Sequence, residues 1–114
     1  MKVTVVTIDM SRIKDWGSFH DVFAEAMGFP SFYGRNMNAW IDCMTDLDVP
    51  ENGMTKVHAP PDGAVVLNLQ HVTEFAERCP EQYQAILDCS AFVNYRRSGA
   101  GDDPILFLSF WKRQ

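Results

Sequence analysis

Ala64-Val65-Val66-Leu67-Asn68-Leu69, entered through the turn signal Pro60-Pro61-Asp62-Gly63, is a short apolar run with the length and β-branched content of a strand. Working outward, Val3-Thr4-Val5-Val6-Thr7-Ile8 is a second such run, and Ile105-Leu106-Phe107-Leu108-Ser109-Phe110, behind Asp103-Pro104, is a third. Apolar runs rather than alternation predict strands covered on both faces, as in a parallel sheet sandwiched by helices. Parallel strands need crossovers of about a dozen residues or more, and both intervals here exceed that length.

The intervals read as helical. Phe19, Val22, Phe23 and Ala26 recur at i, i+3, i+4, i+7, with Asp15 placed to cap the start and Gly28 just past the end. Pro30 breaks the chain, and Met37, Trp40, Ile41 and Met44 repeat the same spacing after Tyr33-Gly34-Arg35-Asn36. Residues 48–63, with Pro50, Pro60, Pro61 and Asn52-Gly53, read as a long loop and not a domain boundary. Beyond the central run, Val72, Phe75 and Ala76 suggest a short helix. Pro80 then opens a longer one through Tyr83, Ile86, Leu87, Ser90 and Val93 to Arg96, Arg97 and Gly99. The two arginines most simply complement the negative end of that helix, with partner binding as the alternative. Ser98-Gly99-Ala100-Gly101 reads as its C-cap and turn. The predicted class is α/β: a three-stranded parallel sheet flanked by about four helices, β-αα-β-αα-β, with residues 1–114 forming one domain.

Composition narrows the function. With 114 residues, 46% hydrophobic, the chain can bury roughly two thirds of its unfolded surface and needs no metal or disulfide to fold. Ten Lys and Arg against 15 Asp and Glu leave a formal charge of −5. A groove that follows phosphates needs the opposite sign, so direct nucleic-acid binding is disfavoured and a basic partner is expected. Cys43, Cys79 and Cys89 are an odd set without CxxC spacing, and MKVTVVTID lacks the apolar core of a signal peptide. A cytoplasmic protein with reduced thiols is the simplest reading. No apolar run approaches the ~20 residues of a membrane helix, so no membrane association is expected.

Catalytic machinery is not visible. There is no GxSxG, GxGxxG or phosphate-binding loop. His20, His58 and His71 are dispersed without metal-ligand spacing, so neither a metal nor any other cofactor is expected. Cys43 and Cys89 lie in helical segments and read as small buried hydrophobes. The chain is not expected to be an enzyme; a hydrolase or transferase using Asp42 with His20 is the competing idea.

The second helix is the informative one. At about 100° per residue Met37, Trp40, Ile41 and Met44 share one side, while Asn38, Asp42 and Thr45 converge on another, flanked by Asp46. Asp46, Asp48 and Glu51 carry negative charge past its end. This row is either an ordinary solvated face or a binding surface entered by the aromatic pair Phe32-Tyr33. Trp40 falls on the apolar stripe as a core residue, with a half-exposed anchor as its other reading.

Phe32-Tyr33-Gly34-Arg35-Asn36-Met37-Asn38-Ala39-Trp40-Ile41-Asp42-Cys43-Met44-Thr45 resembles the signature of the barstar family, small cytoplasmic inhibitors of secreted bacterial ribonucleases. There an aromatic-Tyr-Gly-x-Asn turn leads into a helix ending Asp-Cys-Leu-Thr, at the same separation as here. The order of strands and helices is also similar, and about three quarters of the chain can be laid on the family pattern, loop 48–63 being extra.

The resemblance implies a stoichiometric inhibitor of a basic ribonuclease or related toxin domain, a monomer when free, whose turn and second helix plug the enzyme's cleft. Asp42 would sit where an RNA phosphate sits. Phe32 and Tyr33 would pack on the cleft around it, and Gly34, Asn36, Asn38, Ile41, Thr45 and Asp46 would make the surrounding contacts. Three positions depart from the family. Asn38 is neutral where a second acid stands, Ile41 replaces an exposed tryptophan, and Phe32 lacks a hydroxyl. Acidic family positions near the last helix fall approximately on Asn94 and Ser98. A non-inhibitory interaction domain with a different regulatory partner is the alternative these departures keep open.

Overall fold

The computed structural model describes residues 1–110. Three strands, β1 (Val3–Asp9), β2 (Ala64–Gln70) and β3 (Leu106–Ser109), form an all-parallel sheet in the order β1-β2-β3. Four helices connect them: α1 (Trp16–Met27) and α2 (Met37–Thr45) in the first crossover, α3 (Val72–Arg78) and α4 (Pro80–Gly99) in the second. The predicted α/β architecture is the observed one.

Local chemistry sets the helix ends. Asp15 accepts from the Ser18 amide at 2.8 Å while the Ser18 hydroxyl takes the Asp15 and Lys14 amides, a reciprocal cap that occupies donors with no partner inside α1. Gly28 ends α1 at φ +68°, where a Cβ would come within 2.5 Å of the Lys56 side chain, so both the backbone angle and the space demand glycine. α2 starts at Asn36, whose side-chain oxygen accepts from the Ala39 amide at 2.8 Å. The Ser98–Gly101 segment closes α4 as expected, with Ala100 as the cap and Gly101 at φ +83°.

The sheet differs from expectation on one face. Registered rows Val6↔Leu67↔Leu108 and Ile8↔Leu69 point inward, and their buried members join Phe19 and Phe23 of α1, Trp40 and Met44 of α2, Phe75 of α3, and Ile86 and Val93 of α4 in one core. The alternate row Val5↔Val66↔Phe107 faces outward, with Val5 and Phe107 exposed. The expectation of a sheet covered on both sides is therefore corrected. β-branched residues satisfy strand preference on either face, so a continuous apolar run did not require two covering layers.

Residues 48–63 are a tethered strap. After a short 3₁₀ turn at Pro50–Asn52, the Lys56 and Val57 amides donate to the Met27 carbonyl, the Ala59 amide donates to the Leu47 carbonyl, and the Thr4 hydroxyl reaches the His58 carbonyl at 2.9 Å. Met54, Val57 and Ala59 pack against the core. The strap thus ties the C-terminal ends of α1 and α2 to β1, which fixes the direction of α2.

Candidate functional site

The turn at residues 32–36 is held from behind. Tyr33 is half-buried against Phe29, with ring centroids 4.6 Å apart, and its hydroxyl meets His20 Nδ1 at 2.6 Å. Arg35 adopts φ +55°, an unfavourable angle for a side chain with a Cβ. Its guanidinium compensates by pairing with Asp21 at 2.8 Å and donating to the Gly17 carbonyl at 3.1 Å. Both anchors lie on α1, so the turn is pinned to a rigid element. Phe32 is left projecting, 73% exposed, beside an exposed Gly34.

His20 is buried, stacked on Trp16 and edge-on to Phe19. Burial, reinforced by the Arg35 charge and opposed by Asp21, holds its pKa below the usual imidazole value, and burial pushes the Tyr33 hydroxyl up. Both shifts favour the uncharged form of each group. Between the unperturbed pKa of 6.5 and the lower folded value, the unfolded chain binds more protons than the native one. Stability contributed by His20 is complete above 6.5 and is lost as pH falls through that window. Urea midpoints are expected to drop on acidification from pH 7.5 toward 5.5, and His20→Phe should flatten that dependence.

Along α2, Asn38 and Asp42 are exposed, and 59% of the Asp42 side chain is in solvent. Asp42 is not alone: Arg96 of α4 donates to its Oδ1 at 3.0 Å. Ile41 sits 8% exposed within the core, so the helical stripe placed it correctly and the surface contact implied by the resemblance is corrected: the side occupied by Trp40 and Met44 faces inward. Thr45 is half-buried, its hydroxyl turned back to the Ile41 carbonyl at 2.6 Å. Asp46 is half-buried, ends α2 and accepts from the Asn52 amide group at 3.1 Å. The structure thus brings Phe32, Gly34, Asn36, Asn38 and Asp42 to the exposed side of the turn and helix, withdraws Ile41, and places Tyr33, Thr45 and Asp46 at its margin.

Two residues of α4 act here in ways the sequence reading missed. Arg97 is 8% exposed and forks onto both carboxylate oxygens of Asp48 at 3.0 Å, while also reaching the Thr45 and Asp103 carbonyls. Arg96 covers Asp42. Complementing the helix dipole therefore understates both arginines, and of the negative charge expected past the end of α2 through Asp46, Asp48 and Glu51, that of Asp48 is paired with Arg97. Asn94, which the resemblance sets near an acidic contact position, instead clasps β3: it accepts from the Ile105 and Leu106 amides and donates to the Leu106 carbonyl. It lies two residues, about 200°, around α4 from Arg96. Phe92, one turn before Arg96 and stacked on Tyr95, is the exposed neighbour on the Asp42 side.

The two residues of the competing catalytic idea, His20 and Asp42, lie in separate contacts. His20 is engaged by Tyr33 and Asp42 by Arg96. Cys43 is buried between these elements, its thiol pushed up to about 11 chiefly by burial and then by Asp42 and Asp46, which suits a packed hydrophobe. Among the described residues no group of three His, Cys, Asp or Glu could hold a metal ion, and no helix is long and apolar enough to cross a membrane.

No curated protein matches the chain. A family model described as Barstar (barnase inhibitor) matches residues 3–109, which take in all three strands, all four helices and the strap. By this match and its three-stranded parallel α/β architecture, the chain belongs to the barstar family.

Proposed function

We propose that this protein is a stoichiometric inhibitor of a bacterial ribonuclease, acting as a cytoplasmic immunity protein for the cell that makes it, without catalysis of its own. One observation carries the reading: an exposed aromatic, Phe32, and an exposed carboxylate, Asp42, project from a turn and helix whose rear surfaces are locked to α1 and the core. A rigid projection of that kind can enter a cleft without ordering cost. The flat ring excludes water, and a carboxylate in the dry cleft accepts charge-assisted hydrogen bonds from groups that otherwise grip phosphate. The net charge of −5 favours encounter with a basic enzyme, a rate advantage that falls with salt. Asn36, Gly34 and Asn38 border the projection; Tyr33, Thr45 and Asp46 support it.

The test is to recover the nuclease that co-purifies with the chain from its source cell and titrate RNA cleavage. One-to-one loss of cleavage is expected. Asp42→Ala should weaken the complex by about 2 kcal/mol or more, roughly 30-fold in Kd, as for a central interface anchor. A second reading, a non-inhibitory interaction domain, draws on the neutral Asn38 and on the Arg96 guanidinium over Asp42. It predicts a bound protein whose activity is unaffected.

A further inference from the structure

We infer that this chain self-associates by antiparallel pairing of β1 with β1 of a second copy, about a two-fold axis at Val5, in place of the monomer that the resemblance implies. The sheet has two edges, and they are not alike. β3 pairs over four residues and is entered through Pro104, and both features discourage addition of another strand. β1 runs seven residues in unbroken register with β2, is β-branched from Val3 through Ile8, and contains no proline, lysine or arginine. Its one charge, Asp9, stands at the end.

The ladder fixes which backbone groups are free. In a parallel pair a residue sends its N–H and C=O to the same neighbouring strand, and the next residue sends both the other way. The Ala64 amide donates to the Lys2 carbonyl at 3.1 Å, so the even-numbered residues of β1 face β2. Val3, Val5 and Thr7 therefore aim their amides and carbonyls at the open edge, and among the described residues no other backbone group bonds to them there. Their side chains are exposed as well.

A second copy matches this edge in geometry and charge. With Val5 opposite Val5, Val3 falls opposite Thr7, so the residues with free edge groups meet one another and about six backbone hydrogen bonds form. The two valines stand about 5 Å apart across the axis, and the outward row Val5↔Val66↔Phe107 continues over six strands. Each chain carries −5, which opposes contact between copies over most of their surface. Here Asp9 falls opposite Met1, and no like charges face each other. A seven-residue ribbon is about 23 Å long and buries less than about 1,200 Å², the class of weak, reversible pairs. No residue of this edge belongs to the 32–36 turn or to α2, so pairing leaves the surface proposed for the nuclease free.

Sedimentation of the full chain from about 1 to 500 µM should show the mass rise from 13.0 kDa to twice that, with a midpoint on the order of 10–100 µM. Val5→Pro removes an edge donor but no bond to β2, and should weaken pairing about 10-fold or more, with melting curves to verify folding. Val5→Lys and Val5→Glu, at an exposed position, should each be monomeric, because like charges then face each other across the axis. An equimolar mixture of those two variants should recover the dimer, since position 5 opposes itself. Phe107→Ser, on the same outward row but away from the edge, should leave pairing within about 2-fold. The inference is overturned if the full chain is monomeric throughout, as it would be were the edge kept for a strand of another protein, or if the mixture does not pair. It is equally overturned if Phe107→Ser abolishes a dimer that Val5→Pro retains, because the two sheets would then pack face to face.

Discussion

Arg97→Ala should cost about 3–5 kcal/mol of folding stability and lower the melting temperature by more than about 10 °C. The arginine is 8% exposed and serves three segments together. Its Nη1 and Nη2 fork onto Asp48 in the strap, Nη1 also takes the Thr45 carbonyl at the end of α2, and Nε takes the Asp103 carbonyl at 2.7 Å before β3. Truncation leaves the carboxylate without its counterion and two backbone acceptors without a donor. The last carbonyls of a helix have no partner inside it, so Thr45 depends on an outside donor. Asp48→Asn should cost much less, about 1 kcal/mol, because 40% of that side chain is in solvent and the amide oxygen still accepts. Arg97→Lys should resemble the alanine variant more than the wild type, since an ammonium cannot reproduce the planar fork. Urea denaturation of the three variants checks the order. A uniform small loss would mean that the triple attachment is dispensable.

Arg97 also marks where sequence reading stopped. Legible features were those written within a few residues: the Asp15 cap, Gly28 as the turn that ends α1, Pro80 opening α4, and the stripe that buries Trp40 and Ile41. Each depends on helical geometry alone. The Asp42–Arg96 and Asp48–Arg97 pairs join residues 54 and 49 apart, across an interface whose crossing no local pattern encodes. Charges at the end of a helix have a sufficient local explanation, which hid the tertiary one. Loop 48–63 was recognisable by its prolines, but its attachment to Met27 and Leu47 uses backbone groups that every residue carries, and its bond to the Thr4 hydroxyl spans 54 residues. The candidate site was legible as a run of residues and not as a surface. Resemblance supplied Ile41 as a contact, and only the packing of the apolar side of α2 removed it.

Trp40→Ala should destabilise the fold by about 3–5 kcal/mol, whereas Trp40→Phe should cost under about 1.5 kcal/mol. Trp40 is fully buried and lies edge-on to Phe23 with centroids 5.7 Å apart, joining α2 to α1. Alanine loses that contact area and leaves a cavity in a packed interior. Phenylalanine keeps most of the area and removes a liability: the indole Nε1 is buried with no hydrogen-bond partner among the described residues. A donor in that condition costs about 1–3 kcal/mol, which offsets the smaller ring. The consequence reaches the candidate surface. α2 has nine residues, too few to hold helical geometry unaided, so the direction of Asp42 rests on burial of Trp40, Ile41, Cys43 and Met44 behind it. Trp40→Ala should therefore weaken nuclease binding at temperatures where the variant is still folded, although the indole cannot touch a partner. Trp40→Phe should bind as the parent does. Equal affinity for both variants, measured well below the alanine variant's melting point, would show that Asp42 is aimed by the 32–36 turn and its α1 anchors rather than by the core beneath it.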